Sequence, residues 1–272
     1  MAHELQSVVI EVTNHCNARC SYCTHRFMNR KMGFMEEKVF QKIIDDCSKT
    51  DSVTRISMTM HGEPTLVKDL VKKLEYIKMK CPKVRVTMAT NGSYLTEDVV
   101  KLLHNVDISF NYPDREMFNR ETGLDFDTIK NRIFSLEKVK DKIAVHYVES
   151  KNLKNGLAEI KEIFKDYRVV VNVRFNSWNG RLEDLTVYPT HIRNHCERIK
   201  VQLPILWNGD GVVCCNDYEG ETSKFIGNVM NSSILDMFNC DYLSEMRERD
   251  KSFNFSNTLC EKCNACLEVG NG

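Results

Sequence analysis

Residues 8–23 read Val-Val-Ile-Glu-Val-Thr-Asn-His-Cys-Asn-Ala-Arg-Cys-Ser-Tyr-Cys and join an apolar strand to three closely spaced cysteines. Three residues separate Cys16 from Cys20, and two residues separate Cys20 from Cys23. Three soft thiolates on one short loop suit either an iron–sulfur cluster or a zinc ion. Because a closed set needs a fourth ligand, this spacing leaves one metal position open for a substrate or a cofactor.

The composition of the 272-residue chain limits the classes of function. Lys and Arg together number 38, as do Asp and Glu, and this zero formal charge argues against a nucleic-acid-binding protein. Residues 1–6 lack the basic start and apolar core of a signal peptide, and no apolar run approaches the roughly 18 residues of a membrane span. We therefore expect a cytoplasmic protein, in which a total of twelve cysteines indicates metal ligation or catalysis in preference to disulfides.

Apolar runs alternate with amphipathic helical patterns over about the first two-thirds of the chain. The predicted strands are Val8–Val12, Arg55–Met60, Val84–Ala89, Asp107–Asn111, Ala144–Val148 and Val169–Phe175. The predicted helices are Glu36–Ser48, Val67–Met79, Thr96–His104, Asp127–Lys140 and Leu157–Lys165. This alternation predicts βαβ units and a parallel sheet, but six units fit either an incomplete barrel or a doubly wound open sheet.

The alternating pattern stops after Asn176, so we predict one domain over residues 1–185 and a smaller one over residues 186–272. In the second domain an Asn-Gly-Asp-Gly turn at 208–211 separates two predicted strands, and a helix follows. These three predicted elements are Leu203–Trp207, Val212–Cys215 and Ser233–Arg247. A cysteine-rich tail completes the chain.

Two short polar motifs follow predicted strands of the first domain. His-Gly-Glu-Pro at 61–64 follows the second strand, and Thr-Asn-Gly at 90–92 closes the third. An ammonium group in a site with little water needs an acceptor, and the carboxylate of Glu63 can supply one. Each motif alone is also an ordinary turn between a strand and a helix, so its meaning depends on its register in the βα series.

The first cysteine loop resembles the signature of the radical S-adenosylmethionine (SAM) superfamily, in which CxxxCxxC has an aromatic residue before its last cysteine. Tyr22 occupies that aromatic position. The resemblance implies a [4Fe–4S] cluster whose open iron binds SAM, cleavage of SAM to a 5′-deoxyadenosyl radical, and hydrogen abstraction from an unactivated carbon. It also favours a partial (β/α)6 TIM-like barrel over the doubly wound sheet.

The same resemblance implies which residues contact SAM. They are Tyr22, Gly62, Glu63, Pro64, Thr90, Asn91, Ser109, Asn111 and Arg174. Ser109 and Asn111, at the end of the fourth strand, can reach the ribose, and Arg174 can meet the SAM carboxylate or act on the substrate. The alternative for these three residues is a structural hydrogen bond or a surface ion pair.

The C-terminal cysteines resemble the SPASM and twitch extensions of radical SAM enzymes, whose start is a cysteine, a gap, a glycine, four residues and a cysteine. Here the glycine is Gly209, and the tail is CxxCxxC, so the resemblance implies a twitch domain, a hairpin and a helix around one auxiliary [4Fe–4S] cluster. Its implied ligands are Cys196, Cys214, Cys260 and Cys263. The adjoining Cys215 and Cys266 are candidate spare ligands, or candidate catalytic residues that return a hydrogen atom to a substrate radical.

The chain resembles, over nearly its whole length, the small twitch-type enzymes of the 2-deoxy-scyllo-inosamine dehydrogenase kind. This likeness implies a radical SAM oxidoreductase or epimerase that acts on a small polyol, sugar or aminocyclitol, with a flavodoxin or ferredoxin as electron donor. Trp178 stands where that dehydrogenase has an arginine near its substrate, so we expect a different pocket. The candidate bases are His61, His146 and Arg174.

Two other functions stay open. The first is modification of a ribosomally synthesised peptide by thioether formation or epimerisation. The second is a non-catalytic zinc or electron-transfer protein, in which His15 or His25 completes the first cysteine set and a zinc knuckle uses the second. This second alternative predicts no SAM cleavage and gives the motif at 61–64 no purpose.

Overall fold

The computed structural model of the chain describes residues 3–149, 156–173, 178, 182 and 195–263. Its strands are β1 Ser7–Ile10, β2 Arg55–Met58, β3 Arg85–Thr90, β4 Asn105–Ser109, β5 Ile143–Glu149, β6 Arg168–Val173 and β7 Gln202–Ile205. They form one sheet in the order β6-β5-β4-β3-β2-β1-β7, and every pairing in it is parallel. The predicted parallel (β/α)6 arrangement is therefore confirmed, with one strand added beside β1.

Helices connect most of the strands. They are α1 Glu37–Ser48, α2 Leu70–Lys80, α3 Glu97–Leu102, α4 Arg115–Thr122, α5 Phe126–Ser135, α6 Gly156–Ile163, α7 Glu197–Val201, α8 Ser223–Ile226, α9 Ile234–Phe238 and α10 Asp241–Lys251. Short 3₁₀ helices span Thr24–Phe27, Pro64–Leu66 and Glu137–Lys142. Within the described ranges, no helix is long and apolar enough to cross a membrane.

The end of β4 is anchored by a cluster of phenylalanines. Phe110 is fully buried, and its ring centroid lies 4.7 Å from that of Phe118, 5.2 Å from that of Phe126 and 4.8 Å from that of Phe164. Aromatic pairs of this kind contribute about 0.5–1.5 kcal/mol each beyond the burial of their surface. The cluster therefore fixes the position of the next residue, Asn111, at the mouth of the sheet.

The predicted hairpin of the second domain differs from the structure. Its first arm is β7, which pairs in parallel with β1, and the segment 212–215 forms no strand. The turn itself is present, because Leu206 N–H donates to Asp210 O over 2.8 Å and one antiparallel bridge joins Ile205 to Gly211. Beyond the turn, Val213 N–H donates to the Thr222 hydroxyl over 3.0 Å, which takes the chain away from β7.

Two helical predictions also differ from the structure. The helix predicted over 233–247 is divided into α9 and α10, because Cys240 has extended backbone angles and precedes α10 as its N-cap residue. The helix α4 was not predicted. Its first turn is capped by the Asp114 carboxylate, which accepts from Met117 N–H over 2.7 Å, and it ends at Gly123 in a left-handed conformation.

Candidate active site

The first three cysteines lie together on the loop after β1. Burial, followed by the charges of nearby groups, raises the pKa of the Cys16 thiol to about 11 and that of Cys20 to about 12. Cys16 and Cys20 each sense the charge of Cys23, which places the three thiols in one group. Thiols in such a setting ionise only when a cation is bound beside them.

The geometry of this group fits a cluster of several irons better than one zinc ion. His15 stacks on Phe34 with a ring-centroid distance of 4.7 Å, and His25 Nε2 lies 2.8 Å from Asn14 O, so both histidines are engaged elsewhere. Within the described part of the chain, no three Cys, His, Asp or Glu side chains lie close enough to share one metal ion. Cysteines that hold a cubane bind different irons, which does not require such close approach.

Backbone hydrogen bonds from the end of α4 hold the cysteine loop. Arg19 N–H donates to Thr122 O, and Ser21 N–H donates to Glu121 O, both over 2.8 Å. The Ser21 hydroxyl donates in addition to the Glu121 carboxylate over 2.5 Å. The unpredicted helix α4 therefore has a clear role, which is to fix the loop between Cys16 and Cys23.

Gly62 lets the end of β2 pack directly against the chain that leads into Cys16. A Cβ atom at this position would lie 2.1 Å from Thr13 O and 2.8 Å from Asn14 Cα, both backbone atoms. Beside this contact, Glu63 N–H donates to His15 O over 2.8 Å. Only glycine allows this close approach.

The buried carboxylate of Glu63 joins the ends of β2 and β3. It accepts from the Thr65 backbone N–H over 3.0 Å, from the hydroxyls of Thr65 and Thr90 over 2.6 Å each, and from Asn91 N–H over 2.7 Å. Asn91 Nδ2 in turn lies 4.0 Å from Cys16 Sγ. Since these donors already engage both carboxylate oxygens, the contacts show Glu63 as a positioning residue, and its predicted bond to SAM stays a prediction.

Tyr22 and Asn111 form a chain of hydrogen bonds from the sheet to the cysteine loop. Val148 N–H donates to Asn111 Oδ1 over 2.9 Å, and Asn111 Nδ2 donates to Tyr22 Oη over 2.6 Å. A hydrogen bond from Tyr22 lowers the pKa of Cys20, which burial as the larger effect raises. Both ends of the Asn111 amide are thus engaged in these hydrogen bonds. Ser109, which was predicted to contact SAM together with Asn111, is exposed at the end of β4.

The C-terminal cysteines form a second group around Asn216. Asn216 N–H donates to Cys214 Sγ over 3.3 Å, and Asn216 Nδ2 donates to Cys263 Sγ over 3.6 Å. Burial raises the pKa of Cys214 strongly, and the charges of Cys215, Cys260 and Cys263 add to the shift. Amide donors to thiolate sulfur are among the features that set the potential of iron–sulfur clusters.

Cys196 joins this group at the start of α7. Its backbone N–H donates to the buried Asp250 carboxylate over 2.8 Å, which fixes Cys196 against α10. Arg198 Nη1 donates to Cys215 Sγ over 3.2 Å, and the charges of Cys215, Cys214, Cys196 and Cys263 raise the pKa of this guanidinium. Cys215 is thus held by a cation, which the sequence did not indicate.

A buried polar group of three side chains connects the two cysteine regions. Arg30 Nη1 donates to Glu11 Oε1 over 2.8 Å and its Nη2 to Glu11 Oε2, while Arg30 Nε donates to Tyr218 O over 2.7 Å. His61 Nδ1 lies 3.3 Å from Glu11 Oε2. Sequence reasoning did not predict a role for Glu11 or Arg30, although an acidic residue ending an apolar strand is itself a sign of a buried charge.

Arg174 and Cys266 lie outside the described residues. Trp178 is described, with a left-handed φ of 49°, and its ring centroid lies 6.1 Å from that of His61. Trp178 is the position at which we expect the substrate pocket to differ from that of the dehydrogenase. It therefore lies beside the buried polar group of Glu11, Arg30 and His61.

Similar proteins share this fold. The chain is 31% identical over 102 residues to the S-adenosyl-L-methionine-dependent 2-deoxy-scyllo-inosamine dehydrogenase of Niallia circulans, covering 37% of this chain and 41% of that protein. The matched stretch thus spans less than half of that relative. BtrN in complex with AdoMet and 2-DOIA matches with a TM-score of 0.68 at 21% identity, over 97% of this chain and 94% of that one.

A second solved structure is equally similar in fold. Streptococcus suis SuiB bound to its precursor peptide SuiA matches with a TM-score of 0.73 at 17% identity, over 96% of this chain and 70% of that one. At such low identities these two likenesses show a common fold and leave the substrate open.

Family models cover most of the sequence. The model described as an iron–sulfur cluster-binding domain, SPASM, matches residues 196–267, which contain the second cysteine group. The model of the radical SAM superfamily matches residues 10–180, which contain the first cysteine group and strands β2 to β6. The chain therefore belongs to the radical SAM superfamily and is an enzyme that uses SAM and iron–sulfur clusters.

Proposed function

We propose that this enzyme oxidises a hydroxyl-bearing carbon of a small polyol, sugar or aminocyclitol. The observation that carries the proposal is the buried polar group of Glu11, Arg30 and His61, which links the segment after Cys23 to the segment after Cys214. A hydroxyl group of a small molecule can donate to His61 Nε2, the atom of this group that has no partner among the described residues, whereas an apolar substrate cannot. The aminocyclitol dehydrogenase among the relatives supports the same substrate class.

The residues of the chain hold the two clusters, fix the first cysteine loop and contact SAM. When bound, SAM and the first cluster supply a radical that removes a hydrogen atom from carbon. In our proposal Cys16, Cys20 and Cys23 hold that cluster, and Cys196, Cys214, Cys260 and Cys263 hold the auxiliary cluster. Tyr22, Asn91 and Asn111 fix the first loop, and the ends of β2 and β3 carry the SAM contacts.

The test is 5′-deoxyadenosine formation from SAM by the anaerobically reconstituted enzyme, reduced by a flavodoxin system. Separate reactions contain myo-inositol, scyllo-inositol, 2-deoxy-scyllo-inosamine, a small-molecule extract of the source organism, or its peptide extract. We expect stimulation by cyclitols or by the small-molecule extract, with one carbonyl product formed per 5′-deoxyadenosine. Stimulation by the peptide extract alone would replace this proposal with modification of a ribosomally synthesised peptide, the second candidate function; the similar structure of SuiB holds a precursor peptide.

Two variants separate the steps of this reaction. Cys20→Ser removes a proposed ligand of the first cluster, so we expect no 5′-deoxyadenosine. Cys214→Ser removes a proposed auxiliary ligand, so we expect 5′-deoxyadenosine with little oxidised product. A product with an inverted carbon and no carbonyl would identify an epimerase, and no SAM cleavage with both clusters loaded would contradict the proposal altogether.

A further inference from the structure

One nitrogen of the His61 imidazole is engaged by no group among the residues that the structure describes. His61 is 4% exposed, and its Nε2 has no hydrogen-bond partner among the residues that the structure describes. A buried nitrogen without a partner is uncommon and calls for an explanation. A ligand group that donates a hydrogen bond to Nε2 is the simplest one.

The opposite nitrogen of the ring is held by the buried ion pair. Nδ1 lies 3.3 Å from Glu11 Oε2 and 3.4 Å from Arg30 Nη2. Arg30 already donates to both oxygens of Glu11. Burial raises the pKa of Glu11, but the hydrogen bonds and charges of His61 and Arg30 together lower it below its usual value. Since an ionised carboxylate only accepts, the proton of the neutral imidazole belongs on Nδ1. Nε2 is then left as a lone-pair acceptor.

The surroundings of the ring suit a small hydroxylated ligand. The rings of Trp178 and Tyr218 stand edge-on to the imidazole, with centroids 6.1 and 6.4 Å away. His61 lies three residues after the end of β2 and directly precedes Gly62, which packs against the chain leading into Cys16. The free nitrogen thus lies on the segment that also positions the first cysteine loop.

We infer that His61 is the general base that removes the hydroxyl proton of the substrate during oxidation. This inference rests on the proposed function. The alcohol R₂CH–OH first loses a hydrogen atom from carbon to the 5′-deoxyadenosyl radical. The remaining R₂C•–OH gives its hydroxyl proton to Nε2 and loses one electron as R₂C=O forms. The auxiliary iron–sulfur cluster, which Cys196, Cys214, Cys260 and Cys263 would hold, would supply the acceptor for that electron. The Glu11 carboxylate stabilises the resulting imidazolium, as an acidic partner does for a catalytic histidine.

The decisive variant is His61→Asn. Asparagine can keep a donor toward Glu11 but has no group at the position of Nε2. With the cyclitol that gives the highest rate, we expect 5′-deoxyadenosine still to form in the first turnover, while carbonyl product per 5′-deoxyadenosine falls about 100-fold or more. A carbon-centred radical should accumulate in freeze-quenched samples, detected by electron paramagnetic resonance (EPR).

Controls separate a base from a merely structural residue. Equilibrium binding of the cyclitol without reductant should change less than about tenfold, since one neutral hydrogen bond is lost. The matched control is His104→Asn, because His104 is exposed before β4 and its Nδ1 accepts from Val86 N–H over 3.0 Å. That variant should keep the wild-type product ratio.

Three outcomes would overturn the inference. A wild-type product ratio in His61→Asn means that His61 takes no proton. An equal loss of 5′-deoxyadenosine and product, with both clusters loaded, means that His61 only positions other groups. Wild-type enzyme that forms 5′-deoxyadenosine but no carbonyl contradicts the proposed oxidation itself, and with it the need for a base.

Discussion

Asn111 donates from Nδ2 to the phenolic oxygen of Tyr22 over 2.6 Å, and this bond joins the end of β4 to the first cysteine loop. Asn111 is buried and Tyr22 is partly buried, and the other end of the amide accepts from Val148 N–H. The position of Cys20 therefore depends on side chains from β4 and on the backbone of β5. It does not depend on the loop alone.

Replacement of Tyr22 by phenylalanine tests this connection. The change leaves a buried Asn111 donor without its acceptor, so we expect the free energy of unfolding to fall by about 1–3 kcal/mol. Anaerobic thermal unfolding of the cluster-loaded protein measures it. Tyr76→Phe is the matched control, because Tyr76 is partly exposed and its hydroxyl bonds to Asp45 at the surface, so a change of about 0.5 kcal/mol or less is expected. Equal losses of unfolding free energy in both variants would show that the Tyr22 hydroxyl contributes no more to stability than the hydroxyl of Tyr76.

Gly62→Ala should damage the first cluster selectively. Because the new methyl group would lie 2.1 Å from Thr13 O, the chain leading to Cys16 must move. We expect overpacking to cost about 1–3 kcal/mol or more and iron content to fall by roughly half, with the auxiliary cluster retained. Iron analysis and EPR of the two clusters check this, and the auxiliary cluster serves as the internal control. Full iron content with normal SAM cleavage would contradict the role given to Gly62.

The charge of Arg198 should raise the reduction potential of the auxiliary cluster. Its guanidinium donates to Cys215 Sγ and stands near three of the proposed ligands. In Arg198→Gln we expect a more negative midpoint potential. If the arginine stabilises the reduced cluster by about 1.4 kcal/mol, its loss lowers the one-electron potential by about 59 mV. Redox titration followed by EPR measures the shift. Arg249→Gln, which removes a surface ion pair with Glu245 on α10, should leave the potential unchanged. No shift in Arg198→Gln would show that this cation does not act on the cluster.

Removal of iron should leave Cys16 unreactive at ordinary pH. Its pKa of about 11 lies 2 units above the ordinary value of 9.0, so the thiolate fraction at pH 8 is about 100-fold lower than that of an ordinary thiol. Iodoacetamide labelling of iron-free protein, followed by mass spectrometry, should therefore be slow at pH 8 and rise about tenfold per pH unit up to about pH 11. The exposed thiol of free cysteine is the reference. Rapid labelling of Cys16 at pH 8 would contradict the buried setting.

The local pattern of apolar residues was enough to predict the six βα strands, because buried parallel strands are short apolar runs that recur between amphipathic helices. The motif at 61–64 was placed correctly after β2 for the same reason. The pairing of β7 with β1 was not predictable, since about 200 residues separate the two strands and either neighbour would satisfy an apolar strand. The helix α4 contains only Met117 and Phe118 as apolar residues, so periodicity missed it. The capping residues Asp114 and Gly123 would have revealed it.

The candidate site was predictable only as far as its motifs extend. Cysteine spacing indicated two groups, but the side chains around them come together through the fold. Glu11 and His61 lie 50 positions apart in the sequence, and Asn216 and Cys263 lie 47 apart. Such contacts depend on which strand ends are neighbours, which no local pattern contains.

The parallel pairing of β7 with β1 has a consequence for biosynthesis. During synthesis β1 can pair on one side with β2 soon after residue 58 is made, but its other edge has no partner until Gln202–Ile205 leaves the ribosome. An open edge of this kind invites pairing with foreign strands. The nascent chain thus spends most of its translation with one edge of the strand beside its first cysteine loop unprotected.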